Sequence, residues 1–142
     1  MRKILGLTLA LTTALFPITE FSLNSSAIAT KTKWIRVSTT EKNDVFYVDK
    51  ASIKRNGEFR YFWTKTVWGK PYKLPPSNHL VYSQIDYQSI DCITKMYRIR
   101  SSAALDRKGK VIFRYTDGER GDIDVVSSDT SFSEVANFVC DR

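Results

Sequence analysis

Residues Glu58 to Trp68 constrain the fold of this chain more than any other stretch, because they alternate with a period of two and carry large side chains on both sides. Phe59, Tyr61, Trp63 and Val67 fall on one face, and Arg60, Phe62, Thr64, Thr66 and Trp68 on the other. Aromatics on both faces predict a strand that is central in a sheet or covered on both sides.

The stretches around it repeat the theme. Trp34 to Val37 and Val45 to Asp49 are short aromatic and β-branched runs, and Asn56-Gly57 supplies a tight turn ahead of the long strand. His79 to Ser89, Thr94 to Leu105 and Lys110 to Tyr115 read as three more strands. Asp106-Arg107-Lys108-Gly109 between the last two suits a type I turn closed by a left-handed residue. Gly69 to Asn78 holds Pro71, Pro75 and Pro76, whose missing N–H groups and fixed φ predict a loop, a candidate mobile one. Beyond an Asp- and Gly-rich stretch from Asp117 to Asp124 the period changes to about 3.6. Phe132, Val135, Ala136, Val139 and Cys140 then share one face of a helix, and Ser131 with Glu134 resembles a capping box. The expected fold class is α+β: an antiparallel sheet of about six strands with a C-terminal helix packed on it.

The first 29 residues carry a different message. Arg2 and Lys3, the apolar run Ile4 to Phe16 and the small-residue site Ala27-Ile28-Ala29 are the three parts of a secretory signal peptide. Pro17 and Glu20 cut the apolar run short of the roughly 20 residues a membrane-spanning helix needs. The expected division is a leader over residues 1–29 and a single domain over residues 30–142, exported to the periplasm, cell surface or medium. In that compartment the only two cysteines, Cys92 and Cys140, are expected to form one disulfide. Cys140 lies on the inward face of the helix, from which it could reach Cys92.

Charge narrows the partners. Removing Arg2, Lys3 and Glu20 from the 22 basic and 15 acidic residues leaves 20 and 14, a net charge of +6, which favours anionic partners. Export and the lack of any recognition-helix or zinc-finger spacing argue against nucleic acid. Catalysis has little to work with. His79 is the only histidine, and a lone ring with no identified partner reads as an ordinary surface residue. Asp117, Asp122 and Asp124 lack the EF-hand spacing and have Arg120 among them, so a solvated turn outweighs a calcium site. Asp86 and Asp91 belong to no recognisable pattern, and there is no Gly-rich phosphate loop or nucleophile elbow. No enzyme, cofactor or metal is expected. The candidate binding surface is instead basic and aromatic. Lys65, Lys70 and Lys73 interleave with Trp68 and Tyr72, a mixture able to stack on a ring while holding an anion. Arg98 and Arg100 share a strand face and either form a basic stripe or pair with a neighbouring carboxylate.

Several short motifs occur in a telling order. These are Trp34; Phe46-Tyr47-Val48-Asp49 followed by Ala51-Ser52-Ile53; Cys92; Met96-Tyr97-Arg98-Ile99-Arg100-Ser101-Ser102; Asp106 with Gly109; and Phe138-Val139-Cys140. Together they resemble the surface-adhesin protein E family over nearly the whole of residues 30–142. The resemblance implies a six-stranded antiparallel sheet with a C-terminal helix, a cysteine pair, self-association as a homodimer, and binding to extracellular-matrix proteins. Two features depart from it. Asp122 to Ser128 replaces the Trp and Pro-Gly-Ser step that often precedes the helix, and no cysteine near residue 29 offers a lipid anchor. The alternative reading is an accessory or structural protein of the periplasm or envelope, with another envelope protein as partner.

Overall fold

The computed structural model describes residues 32–142. The expected leader lies outside the described residues. Eight strands form one antiparallel sheet. They are β1 (Trp34–Thr39), β2 (Val45–Asp49), β3 (Lys54–Asn56), β4 (Phe59–Leu74), β5 (His79–Asp91), β6 (Met96–Leu105), β7 (Val111–Thr116) and β8 (Ile123–Val125). Six of them run in the order β1-β2-β4-β5-β6-β7, a meander with β3 beside β4 and β8 beside β6. One helix, α1 (Ser131–Cys140), follows. No helix among the described residues is long and apolar enough to cross a membrane.

β4 is central, as its alternation predicts. One edge pairs with β5 along most of its length, and the other is shared by β3 at Phe59–Tyr61 and β2 at Thr64–Val67. Its two faces differ in what lies on them. Phe62 is fully buried beneath α1 with Val48 and Ile90, against Val135, Ala136 and Val139. Phe59 and Trp63, on the opposite face, remain 44% and 37% exposed.

The expected loop at Gly69 to Asn78 is corrected by the structure. β4 continues through Pro71 to Leu74, and only Pro75–Asn78 turn back. Pro71 is tolerated because it sits in a bulge: Val67 pairs with Ser83 and Tyr72 with Val81, so residues 68–71 face only Tyr82. The opposite edge carries no pairing beyond Val67, so the missing N–H breaks no ladder bond there. Gly69 stitches the bulge to the β1–β2 turn by donating its N–H to Asp44 Oδ1 at 2.9 Å. A Cβ at Gly69 would lie 2.1 Å from the Lys42 carbonyl oxygen, so only glycine permits this approach.

Smaller shifts follow from local chemistry. Gly57 alone takes the positive φ in the β3–β4 turn, while Asn56 pairs with Phe59 as the last residue of β3. The Asp106–Gly109 turn forms as expected, with the Gly109 N–H donating to the Asp106 carbonyl at 3.0 Å and Gly109 at φ 79°. The helix cap is Thr130, one residue before the expected Ser131, and its Oγ1 accepts from the Ser133 N–H at 3.1 Å. Cys140 on α1 and Cys92 after β5 are joined by a disulfide with Cα atoms 5.6 Å apart. Buried Arg60 donates to the carbonyls of Gly57, Phe59 and Arg142, which ties the end of the helix region to β4.

Candidate functional site

α1 packs on β1, β2 and β4 from one side, and the opposite face of the sheet carries no α-helix among the described residues, with the short 3-10 turn Lys50–Ser52 at its margin. The strand alternation that turns Phe62 inward turns Tyr61, Trp63, Tyr87 and Ile85 onto this open face. Trp63 and Tyr87 are cross-strand partners with ring centroids 5.0 Å apart. Beside them a depression of about 580 Å³ is lined by Trp34, Lys54, Trp63, Ile85 and Tyr87, and another of about 290 Å³ by Phe59, Tyr61, Met96, Arg98 and Arg100. Single exposed aromatics are ordinary on protein surfaces, whereas several on one face with charged neighbours make that face a candidate for interaction.

The candidate residues do not form one surface. Lys65 lies on the open face, paired in register with Tyr47 and Ile85. Trp68, Lys70, Tyr72 and Lys73 sit in and beyond the β4 bulge. Trp68 is half-buried against Tyr72 in an edge-on contact at 5.7 Å, with its indole N–H enclosed and unpartnered. The Tyr72 hydroxyl donates to Gln84 Oε1 at 3.3 Å, and burial together with nearby Asp86 pushes its pKa up. Lys70 and Lys73 are exposed. Arg98 pairs with Ser89, eight residues along β5 from the Val81 partner of Tyr72, or about 26 Å at strand rise. The Trp68–Tyr72 end and the arginines are therefore two separate patches.

Of the two readings of Arg98 and Arg100, the structure shows the carboxylate pairing. Both donate to Glu119, Arg98 Nη1 to Oε2 at 2.9 Å and Arg100 Nη2 to Oε2 at 3.2 Å, with a further contact from Arg100 Nη1 to Oε1. Arg100 also donates from Nε to Ser89 Oγ at 2.9 Å and lies over the Tyr61 ring at 4.8 Å. The hydrogen bonds from Arg100 hold the Glu119 carboxyl below the usual carboxylate range. Glu119 belongs to a 3-10 turn, Gly118–Arg120, between the strands that share the outer edge of β6: β7 along Ser101–Leu105 and β8 along Met96–Arg98. The Asp117 N–H donates to the Arg100 carbonyl at 2.9 Å, and a Cβ at Gly121 would lie 2.3 Å from the Ile99 carbonyl oxygen. The turn is pressed onto β6 at a point only glycine allows.

Sequence reasoning passed over Glu119 because it lies 19 and 21 residues from its partners. The only hint was acidic residues in a stretch already read as a turn. Asp117, Asp122 and Asp124 line a shallow depression with Tyr97 and Tyr115, but no three His, Cys, Asp or Glu among the described residues gather closely enough to hold a metal. His79 begins β5, exposed, opposite Leu74.

Asp86 is the unusual ionisable group on the other side of the sheet. It is 5% exposed, and its Oδ1 accepts from Ser102 Oγ at 2.5 Å and Gln84 Nε2 at 2.9 Å with no cation beside it. Burial raises its pKa, and the two hydrogen bonds oppose the rise.

The fold has close counterparts among solved structures. Haemophilus influenzae protein E superposes with a TM-score of 0.54 at 18% identity, covering 76% of this chain and 83% of that one. A second crystal form of it gives 0.55 at 17%, covering 76% and 87%. Protein E from non-typeable Haemophilus influenzae gives 0.52 at 18%, covering 76% and 75%. No curated protein matches the sequence. The family model described as surface-adhesin protein E matches residues 34–141, from the first residue of β1 to the residue after α1, and the chain belongs to that family.

Proposed function

We propose that this chain is an exported, non-catalytic binding protein of the adhesin type, which loses a leader over residues 1–29 and presents residues 30–142 as one domain at or outside the cell envelope. Its partner class is a protein of the extracellular-matrix type. The observation that carries this reading is the family match over residues 34–141. The open sheet face supports it, because exposed Phe59 and Trp63 on the same face as Arg98 and Arg100 have the aromatic and arginine-rich composition of protein-recognition surfaces. The Trp68–Tyr72 patch with Lys70 and Lys73 is a second contact region, and the net positive charge makes association salt-sensitive.

The test is binding of the purified protein to a panel of immobilised matrix proteins at low and moderate salt, beside a pull-down from envelope fractions. Specific matrix binding that weakens with salt and falls at least about tenfold in Trp63→Ala is the expected result, since aromatic anchors dominate such interfaces. Capture of one envelope protein with no matrix binding would replace this reading with an accessory role. Light scattering on the same sample reads the self-association that the family resemblance implies.

A further inference from the structure

The two halves of the Arg98, Arg100 and Glu119 cluster are built very differently. The arginine side chains are only 19% and 12% exposed, whereas the Glu119 side chain is 76% exposed. Arg100 is fixed independently of Glu119, by Ser89 Oγ and the Tyr61 ring, so its guanidinium is already aimed. Glu119 sits on a three-residue turn and reaches the arginines from outside. Next to the fork, Phe59, Met96 and Ile123 are 44%, 44% and 53% exposed and wall the depression of about 290 Å³. Arg98 Nη1 also donates to the Glu119 main-chain carbonyl, so the turn's backbone still holds Arg98 when the carboxylate leaves. The planar guanidinium of Arg100 can take a carboxylate through two N–H donors, and Arg98 adds a second charge beside it.

We propose that the Arg98–Arg100 fork is a receptor for an acidic side chain of a partner polypeptide flanked by apolar residues, and that Glu119 is an internal occupant which that side chain displaces. The apolar walls favour a peptide over an anionic polysaccharide, since a sulfated sugar, with an oxygen on nearly every carbon, has much less apolar surface to bury against Phe59, Met96 and Ile123 than a hydrophobic side chain has. Displacing Glu119 sacrifices little, because a solvent-exposed carboxylate returns readily to water. The fork would then be the site through which the binding protein proposed above takes an acidic segment of its partner, and in that respect the inference rests on that reading.

Fluorescence anisotropy with the whole protein tests it. The probe is a labelled nonapeptide carrying one glutamate between two phenylalanines, with its glutamine twin and heparin as comparisons. The glutamate peptide should bind about tenfold more tightly than the glutamine twin, the scale of a charged hydrogen-bonded contact. Glu119→Gln should tighten binding several-fold by removing the internal competitor, a gain that misfolding cannot produce. Arg100→Gln should abolish it, with a retained cooperative melt as the folding check. Equal binding of the two peptides, no gain in Glu119→Gln, or binding of heparin without the peptide would each overturn the proposal. Peptide binding of this pattern without matrix binding would uphold the fork while removing the adhesin reading. Matrix binding left intact by Arg100→Gln would do the reverse.

Discussion

The two faces of the sheet draw on the same kinds of residue and put them to opposite uses. On one face Val48, Phe62 and Ile90 are sealed under α1 and form the centre of the core. On the other, Phe59 and Met96 stay open beside Arg98 and Arg100, and Trp63 stays open beside Tyr87. Hydrophobicity therefore does not separate core from surface here. The position of one ten-residue helix, stapled by Cys140 to Cys92, does. The buried cluster under α1 is the main core, and the open face is the one available to the binding proposed above.

Adjacent residues of β4 provide the sharpest way to break that comparison. Phe62→Ala removes a fully buried ring beneath the helix and should cost about 3–5 kcal/mol in urea unfolding. Trp63→Ala, one residue on and facing the other way, removes a partly exposed ring whose main identified contact is Tyr87. It should cost about 1–2 kcal/mol despite the larger side chain. Equal losses would mean that the open face carries as much of the fold as the covered one.

The staple comes next. Cys140→Ser should lower unfolding stability by about 2–4 kcal/mol, because the bond closes a loop with a sequence separation of 48 in the unfolded chain. An unchanged urea midpoint would show that α1 is held by packing alone. This bond was legible in the sequence, as were the central strand and the inward face of the helix, because each follows from a count or a local period. The passage of β4 through Pro71 was not. Whether a proline breaks a ladder depends on which partner faces it, and that is decided by β2 ending at Val67 and by the bulge opposite Tyr82. β3 and β8 are too short to show any period. The arginines were recognisable as a site, but their partner was not, since the chain reaches Glu119 only after a hairpin and a turn. The cap moved from Ser131 to Thr130 because adjacent Thr and Ser are both good caps and only the backbone chooses between them.

Two carboxylates sharpen the contrast through opposite pH signs. Asp86 is buried on the helix side without a cation, and its folded pKa is raised. A raised acid binds its proton more tightly in the folded state, so the stability it permits is full below the unfolded pKa and is lost as pH rises through the folded one. Asp86→Asn keeps an oxygen acceptor for Ser102 and Gln84 and removes the buried charge. It should raise stability by about 1 kcal/mol at pH 7, with the advantage shrinking as pH falls through the carboxylate range. Paired thermal melts at pH 7 and pH 4 check this, and a lower melting temperature for Asp86→Asn at pH 7 would show that the charge itself is required.

Glu119 should give the smallest effect and the opposite trend. Its pKa is held down by Arg100 and Arg98, so its contribution is present above the unfolded carboxylate pKa and disappears as pH falls through the folded value. Because the group is exposed and screened by water and salt, wild type should melt only on the order of a degree above Glu119→Gln at pH 7. That lead should vanish in acid or in high salt. A small stability effect beside a several-fold gain in acidic-peptide affinity is what an internal occupant predicts. A structural ion pair would do the reverse, with Glu119→Gln losing the turn's hold on β6 and gaining nothing in binding. The ratio of the two measurements therefore decides whether the open face is closed by its own carboxylate or merely braced by it.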